Sequence, residues 1–425
     1  MSKDSTPSKN YSKYIYDNIH GNIGVTETEL RIIDTRIFQR LHRIKQLGPA
    51  NVVYPGATHS RFAHSIGAMF VMEQYLQNVR KDGNPIAESR DDEQKLRLAA
   101  LLHDVGHYPL SHSLEVPIKE KFNGHTHEKH STHIIKTILK DKLDTYTPED
   151  IIQIIERTYP NDIYSTLISS DMDVDKVDYL LRDSYHTGVS YGNVDVDRLL
   201  RTMSFDNEGN IIFEKGGPVI ENFLLGRYHM FQAVYTHKVV IAFEQMIEKI
   251  YELFVNEGEV DHPSGILESE DESMLSRFDD DYIWQTMNSY HQKKKSGFLA
   301  ELVDAVLIRK PIVLSVQKAS SEKKGKQPDD WRRVLLVKED KNKKDELASK
   351  AGIESQWLFP YTPKKPISVI PDDTPILIKK QHENIPLDED TSLAIHKLVD
   401  LDFYDARIYT KREYETKVKD AFDEL

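Results

Sequence analysis

The chain contains no cysteine. That excludes disulfide framing, thiolate nucleophiles and thiolate metal ligands, so a metal site must be built from His, Asp and Glu. No apolar run approaches the roughly 20 residues that span a bilayer. The opening residues, MSKDSTPSKNYSK, lack the apolar stretch of a secretory signal. A soluble cytoplasmic protein with no membrane partner is expected. Positive charge is outnumbered, with 56 Lys and Arg against 69 Asp and Glu. A formal net charge of −13 leaves no general basic face for nucleic acid, although it leaves room for a local basic pocket. What is present is 425 residues, 39% of them apolar, enough for one large core or two.

The densest chemistry lies in LAALLHDVGHYPLSHSLE, residues 98–115. An apolar run leads straight into His103 and Asp104, and His107 and His112 follow. An isolated His-Asp pair reads most simply as a buried hydrogen-bonded pair. With further imidazoles beside it, the pair points to a metallohydrolase centre in a helical core. A second cluster, GHTHEKHSTHIIKTIL, holds His125, His127, His130 and His133. His130 and His133 are expected at the start of a helix, with His127 in the preceding loop or first turn. A third segment, LISSDMDVDKVDYLLRD, places five aspartates between Asp171 and Asp183. Asp175, Tyr179 and Asp183 fall four apart and share one helix face. Asp178 and Arg182 share another, as an expected helix-surface ion pair, and Asp171 is a cap or network member. In VVYPGATHSRFAHSIGAMF, Thr58 or Ser60 starts a helix with Arg61 and His64 in its first turns. A cation and an imidazole near a helix start suit a phosphate.

The remaining segments organise around these. Thr26 or Thr28 caps a helix whose Leu30, Ile33, Ile37, Leu41, Ile44 and Leu47 form one apolar stripe ending at Gly48-Pro49. Its other face, Arg36, Arg40, Arg43 and Lys45 with Gln39 and Gln46, is either a solvated basic face or an anion-facing wall. The helix that carries the His-Asp pair begins near Gln94, Thr147-Pro148 opens another, and SFDNEGNIIF reads as a hairpin. Pro218 to Val255 reads as one long helical region with Arg227, Tyr235 and Lys238 towards the pocket. An acidic linker spans Asn256 to Asp281, and a helix starts at Trp284. A charged tract runs from Lys318 to Lys326. RVLLVK, PISVI and PILIKK have strand-like composition, KKDELASKAGI reads as a helix, and LAIHKLVDLDFYDARIYT as a helix and a short strand. The expected fold is mainly α with a smaller C-terminal mixed α/β region. The expected units are a flexible N-terminus at 1–13, a helical catalytic domain at 14–255, an acidic linker and helical extension at 256–325, and an α/β region for assembly or regulation at 326–425.

His64, His103, Asp104 and one aspartate of the third segment together offer two imidazoles and two carboxylates. Such a set suits Mn, Fe, Ni, Co or Zn, whereas Mg prefers more oxygen. An ion held this way acidifies a bound water and neutralises a phosphoryl oxygen. A nearby histidine can assist proton transfer, and Arg61 and Lys176 can hold anionic oxygens. The set points to hydrolysis of a phosphate ester.

The H…HD…D pattern resembles the HD superfamily of metal-dependent phosphohydrolases. The words DNIHGNI, IIDTRIFQRLHRIKQLG, VYPGATHSRFAHSIG, LLHDVGHYPLSHSLE, THEKHS, DVDKVDYLLRD and AVYTHK span about residues 13–240. They resemble the deoxynucleoside triphosphate (dNTP) triphosphohydrolases, whose core is a helical HD domain. The resemblance implies a divalent metal (Mn, Mg, Fe, Ni, Co or Zn) on His64, His103, Asp104 and Asp175. It implies His127 as the catalytic histidine, supported by Glu115, with His107 and His112 on the phosphate side. Arg61 and Lys176 would clamp phosphates. Gln46 and Leu47 would sit by the sugar, with Asp183 and Gln46 on the 3′-hydroxyl, Tyr179 near the ring and Tyr235 at the 2′ position. The family attacks the α-phosphorus and releases a nucleoside and intact triphosphate, with no nucleic acid required. Its members are often homotetramers whose regulatory sites commonly recognise guanine. Asp17, Asp34 and Gln39 match that site incompletely, since Tyr16 stands where relatives have Asn and His42 replaces an arginine, so a guanine deoxynucleotide or another dNTP is the implied activator. Two rivals are an HD hydrolase of an alarmone or cyclic dinucleotide, and a non-catalytic nucleotide or nucleic-acid binding module. RIKQLG and DYLLRD favour deoxynucleotides over the first, and the intact ligand set argues against the second.

Overall fold

The described residues open with a hairpin in which strands Lys13–Asp17 and Gly21–Val25 pair antiparallel, from Lys13↔Val25 to Asp17↔Gly21. The computed structural model describes residues 11–122, 124, 126–363, 365–370, 375–381 and 383–424. Residues 1–10 of the expected loose N-terminus, and His125, lie outside them. Thr26 and Glu29 then form a reciprocal capping box on helix Glu27–Ile33. The expected single stripe to Gly48 is broken into pieces. The helix stops at Asp34, and the Thr35 hydroxyl accepts from the Phe38 amide to start helix Arg36–Gln39. A 3-10 turn, Arg40–Arg43, follows, and Lys45 bridges antiparallel to Ser60. Side chain–backbone bonds of this kind compete with helix continuation. The apolar residues still point inward, with Ile33, Ile37, Leu41 and Ile44 buried. The basic face is neither alternative as a whole. Arg40 is fully buried and donates to the carbonyls of Phe278, Val105 and His107, while Arg43 pairs with Asp279.

Helix Arg61–Asn78, capped by Ser60, packs against helices Arg90–Leu102 and Val174–Thr187. Arg90–Leu102 is capped by Ser89, so it starts a turn earlier than Gln94, with Asp91, Asp92 and Glu93 suiting its first turn. Its Leu98–Leu102 run has no exposure at all. Burial of each leucine contributes about 1.5–3 kcal/mol, which anchors the residues that follow. Val174–Thr187 is capped by Asp173 rather than Asp171. Helices His112–Lys121, His127–Thr137 and Pro148–Ile155 complete the centre, the last two capped by Thr126 and Thr147.

The region 218–255 is two helices, not one. Gly217–Met230 runs into a π-helical turn, Phe231–Tyr235, and Lys238–Glu257 restarts with His237 as its cap. The acidic segment packs as short helices Pro263–Leu267 and Glu272–Leu275, and its Asp279 and Asp280 are buried. The expected hairpin, Met203–Phe205 with Ile211–Glu214, forms, and strand Ile376–Lys379 adds to it in parallel. The charged tract belongs largely to an eleven-residue strand, Val313–Lys323, paired antiparallel with Leu401–Thr410. RVLLVK is not a strand. It lies in helix Asp329–Glu339, where Trp331, Val334 and Val337 are buried at three-residue steps and Asp329 and Asp330 suit the first turn. The result is a mainly helical core with a smaller C-terminal region of mixed sheets. Among the described residues, no helix is long and apolar enough to cross a membrane.

Candidate metal centre and active site

Three helices bring one cluster together. His64 sits in the first turn of Arg61–Asn78, His103 and Asp104 follow the end of Arg90–Leu102, and Asp175 is in the first turn of Val174–Thr187. His64 Nε2 lies 3.0 Å from Asp175 Oδ1 and 3.7 Å from Asp104 Oδ2. His103 Nε2 lies 3.6 Å from Asp104 Oδ1 and 3.7 Å from Asp175 Oδ1. The opposite nitrogens are committed elsewhere. His64 Nδ1 donates to Asp178 Oδ2 at 2.8 Å, and His103 Nδ1 donates to the Ala100 carbonyl at 2.8 Å. Each Nε2 is therefore the nitrogen left to offer a lone pair to an ion, and both are buried without a hydrogen-bond partner among the described residues. Two unpartnered imidazole nitrogens facing two carboxylates, with a carboxylate behind one ring, fit a divalent cation. The electrostatics agree. Burial opposes a charged His64, but Asp175 and Asp178 outweigh it and raise its pKa to about 10, so without an ion a proton on Nε2 takes the place that a cation would fill. Burial likewise opposes ionised Asp175, yet the two histidines hold it well below the usual range.

A second group adjoins the first. Asp104, His107 and His127 each present an atom within 4.8 Å of the other two. His127 Nδ1 lies 3.0 Å from Glu115 Oε1, and the exposed His112 reaches Glu115 Oε2 at 3.2 Å. The His107 ring stacks on His127 at 4.3 Å and is fully buried. Burial, with Arg61 and His127 nearby, pushes the His107 pKa well down, keeping it neutral. Burial opposes a charged His127, but Glu115 overcomes it and raises its pKa. Arg61 Nη1 donates to Asp104 Oδ2 at 2.5 Å and its Nε donates to Ser111 Oγ at 3.0 Å. Lys176 Nζ donates to Asp173 at 2.8 Å.

On the far side, Asp183 Oδ2 accepts from the Tyr235 hydroxyl at 2.7 Å, and the Tyr179 and Tyr235 rings meet edge-on at 6.1 Å. The π turn carries Tyr235, and such turns recur at functional sites. Gln46 is buried with its Oε1 unpartnered among the described residues, and Leu47 is half-buried beside it. Arg227 reaches Asp171 at 3.4 Å, whereas Lys238, expected towards the pocket, is exposed. Of the residues matched to a regulatory site, Asp17 is buried in an ion pair with Arg182. Asp34 is exposed at a helix end, and Gln39 donates to the Ile33 carbonyl.

Five residues that shape this site carry no direct signal of it in the sequence motifs. Asp178 and Arg182, expected on a helix surface, are fully buried, and Asp178 orients His64. His59 Nε2 donates to Asp183 Oδ1 at 2.8 Å. Its position two residues before Arg61, inside the motif, was the available signal. Ser111 and Asp280 hold the loop after the His-Asp pair, Asp280 by accepting the amides of Leu110 and Lys45.

With this geometry in view, two family models match the chain. They are the HD domain over residues 61–183 and the HD associated region over 194–425, more than half the chain. The chain belongs to the HD-domain superfamily and carries the HD-associated region. It is distantly related to SAMHD1-like triphosphohydrolases. An uncharacterised protein of Methanocaldococcus jannaschii is 39% identical over 241 residues, 56% of this chain and 49% of that protein. The Dictyostelium discoideum deoxynucleoside triphosphate triphosphohydrolase SAMHD1 homolog is 36% identical over 257 residues, 56% of this chain and 49% of that protein. The matched part thus spans about half the length of these relatives. Among solved structures, a phosphohydrolase of Bacteroides thetaiotaomicron superposes with a TM-score of 0.73 at 27% identity, covering 94% of this chain and all of that one.

Proposed function

We propose that this protein hydrolyses deoxynucleoside triphosphates to deoxynucleoside and inorganic triphosphate, in a metal-dependent attack on the α-phosphorus. The observation that carries the reading is the junction of two clusters at Asp104. Unpartnered His64 and His103 nitrogens face Asp104 on one side, and the His127–Glu115 pair stands beside it on the other. The relatives named as dNTP triphosphohydrolases support the substrate class. His64, His103, Asp104 and Asp175 would hold a divalent ion, which would supply an acidified water and offset charge on the phosphoryl group.

The chain's own residues perform the rest. Water oxygen joins the α-phosphorus as the bond to the 5′-oxygen breaks. Glu115 holds His127 so that Nε2 can deliver a proton to that leaving oxygen. His107, kept neutral, and His112 line the phosphate side. Arg61 and Lys176 hold phosphate oxygens by exchanging their present carboxylate partners for the substrate. Asp183 accepts the 3′-hydroxyl proton while the Gln46 amide donates to that oxygen, Leu47 and Tyr179 flank the sugar, and Tyr235 crowds the 2′ position against ribonucleotides. Incubating a four-dNTP mixture with Mn²⁺ or Mg²⁺ tests this. Deoxynucleosides and triphosphate are expected, and deoxynucleoside monophosphates with pyrophosphate would sink the reading.

The same reading extends to assembly and control. We propose a homotetramer regulated by a guanine deoxynucleotide or another dNTP through Asp34 and Gln39, with Asp17 recruited only if its pair with Arg182 opens. Cross-activation of one dNTP's hydrolysis by another is expected. Hyperbolic kinetics on every dNTP alone, without cross-activation, would count against it.

A further inference from the structure

Behind His64 lies a buried polar chain that belongs to none of the catalytic roles above. The Asp178 carboxylate receives four donors. Its Oδ2 accepts from His64 Nδ1 at 2.8 Å and Arg182 Nε at 2.9 Å. Its Oδ1 accepts from Arg182 Nη2 at 2.9 Å and His20 Nε2 at 2.6 Å. Arg182 continues outward to Asp17 Oδ2 at 2.8 Å, and Asp17 Oδ1 accepts the amides of Ile19 and His20, both at 2.9 Å. Asp178 and Arg182 have no exposed surface. Asp17 and His20 flank the turn of the N-terminal hairpin, 165 and 158 residues from their partners. Gly67, one turn beyond His64, opens the space for the network. A Cβ at that position would collide with the Asp178 carboxylate and the Arg182 guanidinium.

We infer that Asp178 and Arg182 are positioning residues for the metal centre, and that the N-terminal hairpin completes them by inserting Asp17 and His20. The inference rests on the proposal that His64 is a metal ligand. A carboxylate that is saturated with donors can only accept, so the His64 proton is pinned on Nδ1 and its lone pair on Nε2, the atom that faces Asp104 and Asp175. Arg182 fixes the plane of that carboxylate through two parallel bonds, which sets the ring angle as well. Asp17 neutralises the remaining side of the guanidinium, and His20 fills the last acceptor site. Removing the hairpin's two side chains would leave the Arg182 guanidinium buried without Asp17 and one Asp178 acceptor site unfilled.

The test is Mn²⁺ binding by the full chain, read by calorimetry, together with the His64 tautomer read by long-range ¹⁵N–¹H correlation on the protein loaded with diamagnetic Zn²⁺. Asp178→Asn should weaken Mn²⁺ binding by about 10–100-fold, the usual effect of losing an outer-shell partner. It should also leave the His64 proton less confined to Nδ1. The double variant Asp17→Asn, His20→Gln should shift both readouts in the same direction by less. It also serves as the test if Asp178→Asn does not fold. Wild-type affinity and tautomer in Asp178→Asn, or in the double variant, would overturn the inference. His64→Ala separates this from the metal assignment itself. Mn²⁺ binding retained there would overturn the ligand reading, whereas binding lost there but unchanged in Asp178→Asn would overturn only the network's role.

Discussion

His64 and His127 each meet a carboxylate at Nδ1, and what surrounds the other nitrogen separates their tasks. His64 Nε2 is sealed among carboxylates, whereas His127 keeps some exposure and stands at the edge of the cluster. Replacing His127 with Ala should lower kcat by about 10²–10⁴-fold, the range for a lost general acid. Elemental analysis should show wild-type metal content in that variant. Equal loss of metal would move His127 into the ligand set. At this scale the sequence was legible where chemistry was dense in one segment, as around His103-Asp104 and His127. It was illegible where a residue's meaning lies in a distant partner. Asp178 meets His64 across 114 residues and His59 meets Asp183 across 124, so spacing alone made the first a surface ion pair and left the second without a role.

At the level of elements, the loop from Val105 to Ser111 is clamped from outside. Leu110 and Ser111 adopt left-handed φ values of 55° and 53° without being glycine. Each such residue costs about 1–3 kcal/mol and needs its surroundings to hold it. Arg40 holds the Val105 and His107 carbonyls, Ser111 donates to Lys45, and Asp280 accepts the Leu110 amide. Asp280→Asn turns an amide group towards an N–H donor and should cost about 1–3 kcal/mol in urea unfolding. Burial also pushes the Asp280 pKa up to about 7, from an ordinary value near 3.9. The folded state therefore keeps this proton longer than the unfolded state. Its stabilising contribution is full below about pH 4 and is lost as pH rises through about 7. Between pH 5 and 8 the wild type should lose more stability than Asp280→Asn, and parallel slopes would contradict this. Element type was hardest to read in RVLLVK. Its β-branched composition suggested a strand, and packing of Trp331, Val334 and Val337 on one helix face overrides it.

For the whole molecule, late strands complete sheets begun far earlier in the chain. Leu401–Thr410 is the long partner of Val313–Lys323, and Ile376–Lys379 extends the Met203–Glu214 hairpin. A chain ended after residue 325 would expose both edges and should elute from a sizing column as aggregate, because unpaired edges template association. A monodisperse, folded truncation would contradict this. The mainly helical core was legible from apolar periodicity, whereas these pairings between residues far apart in sequence left no local mark. Metal should also report on the whole fold. Mn²⁺ at 100 times its Kd should add about 2.7 kcal/mol of stability. EDTA should remove that gain, and His103→Ala should never acquire it.

The central claim is most directly tested by hydrolysing one dNTP in H₂¹⁸O with Mn²⁺ and analysing the products by mass spectrometry. Unlabelled deoxynucleoside and triphosphate carrying one ¹⁸O are expected, with no turnover in EDTA. Deoxynucleoside monophosphate with pyrophosphate, or label in the nucleoside, would contradict it.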